Sequence, residues 1–199
     1  AISNKARKLR EQGKPVIGFG AGEPDFPTPQ YVVEDVQLAA EDTSNHKYSP
    51  VAGLDILKEE IVRTSSLYSG INIGKENIVV SNGGKHAILT TFMSLLNPGD
   101  EVLIPSPYWT TYPEAVKISG GSPVIVNTEF DEDFKVNKDQ LEAHKTSKTK
   151  VLVWVSPSNP TGVVYTKKEA EEIYNWAFEN NIWILSDELY EHLVYEGVT

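Results

Sequence analysis

The chain has 199 residues, of which 40% are hydrophobic, 23% charged and 10% aromatic; these fractions suit a globular domain and argue against a disordered, collagen-like or coiled-coil chain. Lys+Arg 18 against Asp+Glu 28 leaves a net charge of −10, which repels phosphate backbones and argues against a nucleic-acid reader. Cys 0 excludes disulfides, a thiolate nucleophile and Cys-ligated metal, no apolar run approaches the ~18 residues that span a bilayer, and without a signal-peptide pattern the expectation is a cytoplasmic protein.

Taken in order, the segments alternate between helical and extended patterns at βαβ spacing. Residues 3–12 read as a helix stopped by Gly13, and Val16 to Phe19 as a short strand. A Gly/Pro-rich loop over 20–29 leads to a helix that Thr28 caps and Pro29 opens, running to Glu41. Leu54, Leu57, Ile61 and Val62 fall on one helical face in an amphipathic helix over 53–68. Ile78-Val79-Val80 reads as a buried strand, followed by Ser81-Asn82-Gly83-Gly84, a helix over 85–96 and a turn at 97–100. Next come a strand over 102–104, the cluster Ser106-Pro107-Tyr108-Trp109, a helix over 110–118, a strand over 124–126 and a short helix near 139–143. Val151 to Val155 is apolar throughout and reads as a strand covered on both faces. The run Ser156 to Gly162, a helix over 167–180 and a strand over 182–185 ending in Ser186-Asp187-Glu188 complete the pattern.

Four strands thus end in a polar or glycine-rich cluster: 81–85, 106–109, 157–162 and 186–190. Ligands of open α/β sheets sit outside the carboxyl ends of the strands, so these clusters are expected to converge on one site. Ser81 to Lys85 departs from the Walker pattern, because His86 follows Gly84-Lys85 and Val79 stands where its first glycine belongs. Gly20-Ala21-Gly22 departs from the dinucleotide pattern, with Asp25 at the third glycine position. What remains at 81–85 is a strand-to-helix turn whose glycines, helix dipole and lysine favour an anion such as phosphate; a plain capped turn would use the same residues.

Asp187 follows an apolar strand, as an N-cap for a helix starting near Leu189 or as an anion under a cationic ring nitrogen, with the Tyr190 hydroxyl nearby. Asn159, between two prolines, is turn punctuation or an amide fixed toward a ligand. Trp109 is a core aromatic or a stacking face. The four histidines show no metal-ligand spacing, and no GxSxG elbow occurs. Together the clusters call for a planar, phosphate-bearing, protonatable aromatic ligand. Pyridoxal 5′-phosphate (PLP) has these features, and its chemistry requires a carboxylate at the pyridinium nitrogen.

Seven segments in this order and spacing make the chain similar to the fold-type I PLP-dependent aminotransferases, bacterial aspartate-aminotransferase-like. They are Gly20 to Phe26, Lys47 to Pro50 with Gly53, Ser81 to Lys85, Pro98 to Val102, Ser106 to Trp109, Ser156 to Gly162 and Ser186 to Glu191. The resemblance implies a three-layer αβα fold with a mostly parallel sheet. Residues 1–45 would be an N-terminal arm with part of the small domain, and 46–199 an incomplete large, PLP-binding domain.

By the same resemblance Asp187 would meet the pyridinium nitrogen, Tyr190 and Asn159 the ring 3′-oxygen, and Trp109 the ring face, while Gly83, Gly84 and Lys85 would cradle the phosphate. Tyr48 would reach the phosphate of a neighbouring subunit, implying a homodimer with shared sites. Gly22, Asn159 and Trp109 would hold the substrate carboxylate. The peptides Ser106-Pro107 and Asn159-Pro160 are expected to be cis, placing Trp109 and Asn159 at their strand ends. The family's Schiff-base lysine and carboxylate-binding arginine match no position here and are expected beyond Thr199, in a longer polypeptide. The implied reaction is transamination between an L-amino acid, aspartate by default, and a 2-oxo acid. A carbon–sulfur β-lyase and a non-catalytic ligand-sensing domain are the alternatives on this scaffold.

Overall fold

The structure, a computed structural model, describes residues 2–17, 22 and 26–195. The chain divides into two compact units, residues 1–54 and 55–199. The first contains α1 (Ile2–Glu11) and α2 (Gln30–Glu41). Gly13, at φ +76°, closes α1 as expected: its N–H donates to Arg10 O and that of Lys14 to Leu9 O. Pro29 lies before α2 in extended geometry, and no side chain caps the helix. The expected Thr28 cap is therefore corrected, and the helix begins one residue later, at Gln30. Val16 and Ile17 form no strand; the rest of that expected strand, and most of the 20–29 loop, lie outside the described residues.

In the second unit the elements are α3 (Asp55–Tyr68), α4 (Gly84–Leu95), β1 (Glu101–Pro105), α5 (Thr111–Ile118), β2 (Ser122–Val126), α6 (Lys138–His144), β3 (Thr149–Val155), α7 (Lys167–Glu179) and β4 (Trp183–Asp187). The four strands pair in parallel in the order β2-β1-β3-β4. Alternate residues along the strands point to opposite faces. Val102, Ile104, Val151 and Val153 pack with Ile88 and Phe92 of α4 and Tyr112, Ala115 and Val116 of α5. Leu103, Val126, Leu152 and Trp154 pack on the other side with Leu141 of α6 and Ile173, Trp176 and Ala177 of α7. Two cores around one parallel sheet make the three-layer αβα arrangement, and β3 is covered on both faces, as its unbroken apolar run requires.

Two expectations need correction here. Ile78 to Val80 is extended at Ile78 but joins no ladder among the described residues. A strand exists through its neighbour's hydrogen bonds, and between this segment and β4 lies a 510 Å³ trough lined by Val79, Leu95, Trp183 and Leu185. The helix expected from Leu189 is instead a pair of turns, in which Glu191 N donates to Glu188 O and Leu193 N to Tyr190 O. Asp187 is the last residue of β4, paired with Val155.

Candidate functional site

Because all four strands run the same way, their carboxyl ends share one rim. The chain leaves β1 for β2 on one side, and the next strand, β3, lies on β1's other flank. That reversal between β1 and β3 is where open α/β sheets form a crevice. Ile104 to Tyr108, Tyr112, Val153 to Val155, Ser158 and Asn159 line a small cavity there.

The loop after β1 is held at both ends. Ser106 N donates to Val126 O at 2.9 Å, and the Thr128 hydroxyl donates to Ser106 O. Trp109 follows, and its carbonyl accepts the Tyr112 N–H at 3.1 Å as α5 begins. The loop after β3 closes on itself: Gly162 N donates to Ser158 O at 2.8 Å and Ser158 N to Val163 O at 3.0 Å. Gly162 sits at φ +75°, a left-handed conformation that glycine enters without strain. Asn159 lies inside this closed turn. The peptides preceding Pro107, Pro157 and Pro160 are cis, two as expected and Ser156-Pro157 in addition.

At the start of α4, Gly83 has φ +82° and its N–H donates to Ser81 O, while Asn82 N donates to His86 Nδ1 at 3.1 Å. A Cβ added at Gly83 or Gly84 would meet nothing within 4 Å, so the space over this helix N-terminus is open. With the Asn82 and Gly83 N–H groups already engaged, those of Gly84 and Lys85, the positive end of a 12-residue helix and an exposed lysine suit an oxyanion such as a phosphate.

A chain of contacts crosses the rim. Lys85 Nζ lies 5.6 Å from the centroid of the Trp109 ring. The Trp109 and Tyr112 rings meet edge to face, 5.7 Å apart at 88°. The Tyr112 hydroxyl donates to Asp187 Oδ2 at 2.7 Å, and Asp187 Oδ1 accepts the Leu189 N–H at 3.2 Å. Burial, reinforced by the hydrogen bond to Asp187, holds the Tyr112 phenol well above the ordinary tyrosine range, so it remains a proton donor. Asn159 and Tyr190 line a common cavity of 290 Å³ with Pro157, Ser158, Leu193 and Tyr195. Ser69 Oγ donates to Glu191 Oε2 at 3.2 Å and Tyr68 packs edge-on to His192, tethering the Tyr190 turn to α3.

The structure therefore brings Lys85, Trp109 and Asp187 into one connected group, sets Asn159 and Tyr190 on one cavity wall, and places Gly83 and Gly84 at the open helix N-terminus beside Lys85. Tyr48 and Gly22 belong to the 1–54 unit, where Tyr48 is fully exposed and Gly22 has open space around it. Sequence reasoning missed Tyr112, the link between Trp109 and Asp187. Helical spacing gave no signal for it, because Trp109 precedes α5 (Thr111–Ile118) and the Asp187 partner lies 75 residues further along the chain.

Comparisons with known proteins place the chain in a family. A model of the family "Aminotransferase class I and II" matches residues 14–198. An aspartate aminotransferase of Streptomyces avermitilis is 50% identical over 98% of this chain and 48% of its own length. A probable aspartate aminotransferase of Streptomyces griseus is 47% identical over 95% of this chain and 88% of its own. The solved aspartate aminotransferase of Thermus thermophilus with maleate superposes with a TM-score of 0.92 at 40% identity, covering 98% of this chain and 51% of that one. The chain spans about half the length of most of the curated relatives it matches. With the family model matching nearly all of it, the chain belongs to the class I and II aminotransferases.

Proposed function

We propose that the protein carrying this chain is a PLP-dependent aminotransferase that moves the amino group of L-aspartate to a 2-oxo acid. The observation that carries the reading is the connected rim Lys85–Trp109–Tyr112–Asp187, in which a cation at a helix N-terminus, a flat aromatic face and an acid stand in the order PLP needs. Relatives named aspartate aminotransferase support the choice of aspartate.

The residues present fit the cofactor. The space over Gly83 and Gly84 admits a phosphate, and the backbone N–H groups and Lys85 supply donors and charge. Trp109 offers its face to the ring. Asp187 would hold the proton on the ring nitrogen, and Asn159 and Tyr190 would donate to the ring 3′-oxygen. When bound, PLP supplies an electron sink for the pair left at the amino-acid α-carbon as its proton departs. Asp187 would make that sink effective by keeping the ring cationic, and Trp109 would hold the ring by stacking. Asn159 and Trp109 would orient the substrate carboxylate. In this reading two copies pair, and the exposed Tyr48 of each donates to its partner's phosphate. No residue of this chain is assigned as the covalent anchor or as the base at the α-carbon.

The test is an absorbance spectrum of the full-length protein purified with PLP. The expected result is a band near about 420 nm that bleaches with aspartate and returns with a 2-oxo acid. A protein that gains no such band, or whose band ignores amino acids while pyruvate and ammonia form from a sulfur amino acid, refutes the transamination reading.

A further inference from the structure

We infer that Tyr112 is a positioning residue of the cofactor site: its hydroxyl aims the Asp187 carboxylate while its ring braces the Trp109 indole, so that one side chain sets the stacking face relative to the acid below it. This rests on the proposed PLP reading and adds to it a residue that would touch neither cofactor nor substrate.

The geometry is specific. Tyr112 is 1% exposed, and its 2.7 Å hydrogen bond is a short, charge-assisted one. A buried phenol needs some acceptor, and a carbonyl would serve for packing alone. Here the acceptor is a carboxylate at the last residue of β4, 75 positions away in sequence. With Oδ2 held by Tyr112 and Oδ1 by the Leu189 N–H, the carboxylate cannot rotate without breaking a bond. Each oxygen keeps a second lone pair, so the group still has an acceptor site for a ring N–H. The edge-to-face contact at 88° holds Trp109 by the same ring. Because α5 begins at Thr111 and its buried face packs against β1 and β3, Tyr112 is itself immobile and transmits that rigidity to both partners.

The experiment compares the full-length wild type with Tyr112→Phe, which keeps the ring and the Trp109 contact and removes only the hydroxyl. Three readouts are taken: affinity of the apoenzyme for PLP, affinity for the PLP analogue with carbon in place of the ring nitrogen, and the ¹⁵N chemical shift of labelled PLP at mildly alkaline pH. The expected result is roughly tenfold weaker PLP binding, as for a lost hydrogen bond to a charged group. The analogue should bind both proteins equally, and the ¹⁵N shift should move toward the unprotonated value in the variant. A purely structural tyrosine would weaken PLP and its analogue alike, and that result overturns the inference. So does a Tyr112→Phe protein within twofold of wild type with an unchanged ¹⁵N shift. Tyr112→Leu, which also removes the brace, should weaken both ligands; if it leaves the analogue unaffected, the bracing half of the inference is wrong. Failure of the wild type to bind PLP overturns the proposed function and this inference with it, whereas a wild-type-like Tyr112→Phe overturns only the inference.

Discussion

Replacing Gly162 by Ala tests whether the closed turn after β3 holds Asn159. Gly162 has φ +75°, and a Cβ there would meet nothing within 4 Å. The cost is therefore backbone strain alone, about 1–2 kcal/mol for a left-handed non-glycine residue. Reduced freedom of the unfolded chain offsets roughly 0.5 kcal/mol of that, which leaves a destabilisation of about 1 kcal/mol. With a urea m-value of about 2 kcal/mol/M, the midpoint should fall by about 0.5 M. Gly162→Asn should cost less, because asparagine tolerates the left-handed region. If the alanine chain relieves its strain by opening the Ser158–Val163 turn, Asn159 moves with it and PLP binding weakens in step. The assay is urea unfolding of both variants with PLP titrations beside it. A Gly162→Ala midpoint equal to wild type, or an asparagine variant as unstable as the alanine one, would refute the reasoning.

Two further outcomes follow from the site and the core. Asp187→Ala in the full-length protein should lower turnover by orders of magnitude, since a neutral ring is a poor electron sink; steady-state kinetics with aspartate check it, and a near-normal kcat contradicts the assigned role. Tyr165 lies against Trp154, ring centroids 4.1 Å apart, and its hydroxyl oxygen accepts the Val136 N–H at 2.9 Å. Burial is the main cause pushing its phenol up to about 12 from an unfolded value near 10. A raised tyrosine pKa favours the neutral folded form, so its contribution is complete below pH about 10 and lost as pH rises toward about 12. Two pH units correspond to about 2–3 kcal/mol. Urea midpoints across that range should fall more steeply for wild type than for Tyr165→Phe; parallel curves would show an ordinary phenol.

Much of the fold could be read from residue patterns because period and punctuation are local. The five-residue apolar run 151–155 meant a doubly covered strand, and Gly13 marked the end of the first helix, where it takes a left-handed conformation that no other residue enters as easily. The clusters at strand ends were legible for the same reason, since a polar, glycine-rich run after an apolar one marks where a strand meets solvent. Pairing was not legible. Ile78 to Val80 has strand composition, but a strand requires a neighbour, and none reaches it among the described residues. The apolar run could not say that Val151 and Val153 face α4 and α5 while Leu152 and Trp154 face α6 and α7. The Asx bond from Leu189 N to Asp187 was anticipated as a helix cap; whether a helix followed depended on the turns around Glu188 and Tyr190. The contact that joins Trp109 to Asp187 through Tyr112 spans 75 residues. Residue types and their spacing determined which chemistry the chain carries. Only the parallel sheet, by setting the ends of its strands side by side, decided which distant side chains touch.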